Sequence, residues 1–116
     1  MGIGVVRRLW LAFDASDWHT VRSLLHPDFE AEWPQTAERF DRDGYVRVNE
    51  TYPGTWTITP RRAVADGDIV VSEAFVEHSD PERTTYVVGF YKLEGELIRR
   101  AVEYWPAPGE PAPERA

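Results

Sequence analysis

The feature that most limits what this chain can fold into is its second half, which reads as one antiparallel meander. Strand-like runs at Thr55–Ala65, Ile69–His78, Arg83–Leu93 and Leu97–Trp105 are rich in Val, Ile, Tyr and Phe. Asp66-Gly67 and Glu94-Gly95 are two-residue hairpin signals, and Ser79-Asp80-Pro81-Glu82 is a longer turn. Without bulges, Arg83 pairs with His78 and Leu93 with Glu96. One face then carries Phe75, Tyr86 and Glu103 in one row, Glu73, Val88 and Ala101 in the next, and Val71, Phe90 and Arg99 after that, with Trp105 beyond. The opposite face carries Val70, Ala74, Val76, Val87, Tyr91, Ile98, Val102 and Tyr104 and is almost wholly apolar. The mixed face is expected to line a pocket and the apolar face to meet a partner.

The first half predicts three helices and a short strand. Ile3, Val6, Leu9, Trp10 and Phe13 recur at helical spacing over Ile3–Ala15. Ser16-Asp17 caps a second helix carrying Trp18, Val21, Leu24 and Leu25, which His26-Pro27 stops. Phe29–Trp33 is extended and ends at Pro34; Asp41 caps a third helix running to Tyr52, and Pro53-Gly54 ends it. Helices first and a sheet second define an α+β domain over 1–105: a cone-shaped, curved antiparallel sheet, the four-strand meander plus the short first strand, on three N-terminal helices. Residues 106–116 hold four prolines and are expected to form a mobile tail.

A chain of 116 residues is long enough for one core. Its net charge of −7, with a single lysine, argues against nucleic acid. No cysteine is present, so thiolate chemistry is excluded. No apolar run approaches the roughly 20 residues of a membrane span and no signal-peptide pattern opens the chain, which makes the cytoplasm the expected location. His19, His26 and His78 lack metal-ligand spacing, and no Gly-rich phosphate loop occurs, so neither a metal nor a cofactor is expected. Gly89, inside a strand, marks a bulge or a close approach.

Helix order, the Ser16-Asp17 break, the run His26-Pro27-Asp28-Phe29-Glu30-Ala31-Glu32-Trp33-Pro34 and the ending Val102-Glu103-Tyr104-Trp105 resemble the nuclear transport factor 2-like superfamily, which includes SnoaL-like polyketide cyclases and ketosteroid isomerases. The resemblance implies a pocket between helices and the concave sheet face, and frequent dimers. It also places the isomerases' catalytic groups at Trp33, Leu9 and Val88, none of which can do that chemistry. Trp105 matches a pocket tryptophan of that family, and Glu103 and Ala101 share its alternation.

The candidate acid–base residues are therefore Glu73, Glu103 and Tyr86. A carboxylate inside the apolar run around Glu73 is costly unless paired or functional, and an ion pair with an arginine is the plainer alternative. Trp10, Phe13, Trp33, Gln35, Phe75, Phe90, Arg99 and Trp105 are the candidate ligand contacts, although aromatics at such spacing are commonly core. The expected function is a small-molecule pocket, possessing acid–base chemistry of the isomerase, cyclase or hydratase kind, or else a non-catalytic sensing or dimerisation module. A homodimer through the apolar outer face is expected, with the Pro-rich tail folding back over that face as the alternative.

Overall fold

A computed structural model describes residues 2–52, 54–79 and 82–106. The expected tail beyond Pro106, the Asp80-Pro81 turn and Pro53 lie outside the described residues. The elements run α1 (Gly2–Asp14), α2 (Trp18–Ser23), β1 (Leu25–Trp33), β2 (Glu38–Asp41), α3 (Arg42–Glu50), β3 (Trp56–Asp66), β4 (Ile69–Ser79), β5 (Glu82–Glu94) and β6 (Leu97–Tyr104). The strands form one open sheet in the order β2-β1-β6-β5-β4-β3, curved over the helices. This is the expected α+β architecture, with two additions. A sixth strand, β2, forms a hairpin with β1, and β1 runs parallel to β6.

Local chemistry explains most boundaries. Asp17 caps α2 by accepting the Thr20 amide at 3.2 Å and its hydroxyl at 2.6 Å, and Asp41 caps α3 by accepting the Gly44 amide at 2.7 Å. Gly67 and Gly95 sit at φ 62° and 63° in the two tight hairpins, a region that suits glycine. β1 begins at Leu25 rather than Phe29, and Pro27 is tolerated because the ladder to β6 breaks between Leu25 and Glu30. No ladder bond is missed there.

The sheet faces are opposite to the expected arrangement. Val70, Ala74, Val76, Val87, Tyr91 and Ile98 are buried, packed in one core with Val6, Leu9, Trp10 and Phe13 of α1. The most apolar face is therefore the inner one, as the hydrophobic effect favours. Phe75, Tyr86 and Phe90 lie on the outer side. The β4–β5 register is as read from sequence, with Glu73 opposite Val88 and Phe75 opposite Tyr86.

The β5–β6 ladder differs. Leu93 pairs with Ile98 rather than Glu96, because the turn residues are Gly95-Glu96 with Glu94 opposite Leu97, and Lys92 pairs with Arg100, so Arg99 is an extra, bulged residue. A one-residue slip flips every later side chain. Ala101 and Glu103 thereby join Tyr91 on the inner face, while Val102 and Tyr104 turn outward, against the expected assignment. The physical reason is the adjacent arginines. With Ile98 inside, strict alternation would drive Arg100 into the core; the bulge keeps both outside. Arg100 then reaches Glu32 at 3.2 Å, and Arg99 bonds the Asp28 carbonyl.

Candidate functional site

A cavity of about 330 Å³ opens between the helices and the inner sheet face. That is at the lower end of the range for small-molecule sites. Its buried lining comes from α1 (Trp10 and Phe13), α3 (Asn49), β3 (Ile58), β4 (Val76), β5 (Thr85) and β6 (Glu103). Its exposed rim has two sides. Gln35, Thr36 and Glu38 come from the β1–β2 turn and β2, and Tyr52 and Arg83 from the end of α3 and the start of β5.

Glu103 is the chemical centre of this wall. Its side chain is fully buried, with 1% exposure, and its carboxyl accepts four hydrogen bonds from three residues. Trp33 Nε1 donates at 3.0 Å, the Tyr45 hydroxyl reaches both oxygens at 3.1 and 2.9 Å, and the Tyr91 hydroxyl donates at 2.7 Å. Burial pushes the Glu103 carboxyl above its ordinary range, and the bonds from Tyr91, Trp33 and Tyr45 oppose that shift without cancelling it. Tyr45 and Tyr91 are both pushed well above the usual tyrosine value, first by burial and then by the Glu103 charge, so they stay protonated donors.

Close packing holds the donors in place. Trp10 donates its indole N–H to Ser72 Oγ at 3.0 Å and meets Tyr91 edge-on at 6.1 Å. Phe29 packs at 5.1 Å from Tyr45, and Trp105 at 6.0 Å from Trp33. Gly89 is a close approach: a Cβ there would lie 2.3 Å from the Tyr91 hydroxyl. Tyr91 cannot swing aside without leaving Glu103. Gly89→Ala is therefore expected to destabilise the fold by about 1–3 kcal/mol, readable as a lowered urea midpoint. An unchanged midpoint would show that the Tyr91 ring can move at little cost.

Of the residues singled out in the sequence, Trp10, Phe13, Trp33, Gln35, Glu103 and Trp105 line the cavity. The remaining five do not. Glu73 points outward and pairs with Arg62 Nε at 2.9 Å and more distantly with Arg61. Tyr86 does not accompany Glu103; it packs on Phe75 at 4.9 Å beneath the Arg61 guanidinium, on the outer face. Phe90 is 46% exposed on that face, and Arg99 sits by the Asp28 carbonyl and Glu30. Sequence reasoning missed Tyr45 and Tyr91 as partners of Glu103, and Trp56, His78, Arg83 and Thr85 as lining. The one available signal was the Arg99-Arg100 pair, which predicts the bulge once Ile98 is placed inside.

Among the described residues, no three His, Asp or Glu converge as a metal site would require, and no helix is long and apolar enough to cross a membrane. The SnoaL-like domain family matches residues 6–101. The chain belongs to this family. It is similar to a candidate ketosteroid isomerase from Kribbella flavida DSM 17836, at 31% identity and a TM-score of 0.87, covering 97% of this chain and 82% of that one. An NTF-2 like protein of unknown function from Burkholderia xenovorans LB400 superposes with a TM-score of 0.83 at 20% identity, covering 97% and 88%. IdmH, a candidate polyketide cyclase from Streptomyces antibioticus, does so with 0.78 at 19% identity, covering 90% and 91%. No curated protein matches the chain in sequence.

Proposed function

We propose that this chain binds a compact, largely apolar small molecule in the aromatic cavity and moves a proton on it, with Glu103 as the titrating group. The observation that carries this reading is a fully buried carboxyl in the wall of an aromatic-lined cavity, its neutral form favoured by burial. Such a group exchanges its proton nearer neutral pH than an exposed glutamate, its carboxylate taking the proton from the carbon next to a carbonyl and its acid form returning one. Trp33, Tyr45 and Tyr91 would hold the carboxylate in place to take the proton. Trp105 also lines the cavity, and its buried indole N–H has no acceptor among the described residues. A ligand carbonyl or hydroxyl oxygen would satisfy it. Isomerisation and cyclisation, the chemistries named for the Kribbella and Streptomyces proteins, both move protons. The groups of the ketosteroid isomerases are not at the corresponding positions here, so the catalytic set would be this chain's own. We place the reaction in the cytoplasm.

The test is deuterium exchange at carbon next to a carbonyl, followed by NMR across a panel of cyclic ketones with the full-length protein. Wild type is expected to exchange at least one member, and Glu103→Gln to exchange it about 10²–10⁴-fold more slowly while still binding it. Equal exchange by both proteins would remove Glu103 as the proton-transfer group. A second reading has its own support. Both carboxyl oxygens of Glu103 are already engaged by three protein donors, which also suits a rigid, non-catalytic ligand sensor. Binding with no exchange by wild type would favour it.

We also propose a homodimer, moved to the true outer face. Tyr86, Phe90 and Tyr104 are each more than a third exposed there, with Phe75, Val88 and Val102 half-buried between them.

A further inference from the structure

The rim of the cavity carries opposite charges on opposite sides. Strand alternation turns Val76 and His78 of β4 inward, and with them their cross-strand partners Thr85 and Arg83 of β5. Arg83 is the one cation among the described lining residues. Its guanidinium donates to the Tyr52 hydroxyl at 3.3 Å, and beside it His78 Nε2 and Thr85 Oγ1 lie 3.2 Å apart. Burial and the Arg83 charge both push His78 below its ordinary value, so the imidazole is neutral at physiological pH and adds no second cation. The two lining carboxyl groups do not neutralise Arg83. Glu103 is enclosed by its own three donors, and Glu38 accepts the Thr36 hydroxyl at 2.6 Å on β2. β2 is three strand positions from β5, and no ion pair joins Glu38 to Arg83 among the described residues.

We propose that the cavity takes a cyclic carboxylic acid, its ring among Trp10, Phe13, Trp56 and Val76 and its carboxylate on Arg83, with the hydroxyls of Tyr52 and Thr85 alongside. This rests on the reading of the cavity as a ligand site and names its substrate class. Arginine suits the task because its planar fork matches a carboxylate with two parallel N–H bonds. The aromatic walls supply apolar contact, and the rim cation supplies the orientation.

The test uses calorimetric titration of the full-length protein near neutral pH with two probes of equal shape, 1-naphthoate and 1-naphthamide. The acid is expected to bind at least tenfold more tightly than the amide, the scale of one hydrogen bond between charged groups, and to weaken as salt rises. Arg83→Gln is expected to bring acid and amide to equal affinity, and Arg83→Lys to fall between. Arg83 is exposed, so these variants should keep the wild-type melting temperature; if Arg83→Gln fails to fold, the acid–amide comparison in wild type decides alone. Equal affinity for both probes in wild type would overturn the acid assignment and leave a site for neutral ligands. Binding of neither would overturn the ligand-site reading as well.

Discussion

Replacing Glu103 with Leu is expected to lower stability by about 2–4 kcal/mol, although it removes a buried ionisable group. Two effects compete. Leucine relieves the desolvation cost of the carboxyl, and swapping buried ionic groups for apolar ones is often neutral when the whole network is exchanged. Here only the acceptor is exchanged. Trp33 Nε1 and the hydroxyls of Tyr45 and Tyr91 remain, and a buried donor without a partner costs about 1–3 kcal/mol. Three such donors outweigh the relief, even with water from the cavity satisfying some of them. Glu103→Gln should cost less, about 1 kcal/mol. Its amide oxygen can face Trp33, which only donates, and its amide N–H₂ can face the tyrosine oxygens, which can also accept. Urea unfolding of the two variants checks the order. A leucine variant as stable as wild type would mean that the donors find other partners.

The same residue fixes a pH dependence. In the folded chain burial raises the Glu103 carboxyl above its ordinary value near 4.5, so the native state holds a proton that the unfolded chain has already released. Stability from this group is therefore complete below about pH 4.5 and is lost as pH rises towards the folded value, with no further change above it. The slope is opposite to that of a salt-bridged carboxylate. Glu103→Gln should remove this component, so the wild-type-minus-variant difference in stability should fall as pH rises above about 4.5 and then level off. A difference that is flat across that window would show that the three donors fully offset burial.

What could be read from the sequence was local. The α1 stripe, the caps at Asp17 and Asp41, the glycine hairpins and the β4–β5 register all follow from residues within a few positions of one another. β2 did not, because Glu38-Arg39-Phe40-Asp41 offers one large apolar residue and its pairing is set by the Trp33–Ala37 turn. The bulge at Arg99 is a tertiary compromise between two arginines and a core that wants both Ile98 and Ala101. Missing it put Glu103 on the wrong face, and reading the turn at Glu94-Gly95 instead of Gly95-Glu96 set Glu103 opposite Tyr86 instead of Gly89, so Tyr86 was read in the place that Tyr91 and Tyr45 occupy. Glu73 followed from the face assignment: charges among aromatics were read as a pocket, whereas the same mixture is what half-wet sheet surface looks like when arginines cover it.

That reversal gives the largest expected effect. Val87→Arg should abolish folding, whereas Phe90→Arg on the same strand should fold normally. Val87 has 0% exposure on the inner face, opposite Ala74 on β4, and the buried carboxyl on that face, Glu103 opposite Gly89, is already held by Trp33, Tyr45 and Tyr91. Burying an unpaired charge exceeds about 4–5 kcal/mol, a large part of the 5–15 kcal/mol that holds a domain of this kind together. Phe90 is 46% exposed on the outer face, where an arginine keeps its head in water and the effect on the isolated fold should stay within about 1 kcal/mol. Its consequence should appear in association instead. If Tyr86, Phe90 and Tyr104 form the proposed two-fold contact, each Phe90→Arg subunit places a new charge against its symmetry mate, and light scattering at micromolar concentration should report half the wild-type mass. Circular dichroism reads the first outcome and light scattering the second. A folded Val87→Arg protein would overturn the inner-face assignment, and a wild-type monomer, or a Phe90→Arg dimer, would overturn the interface.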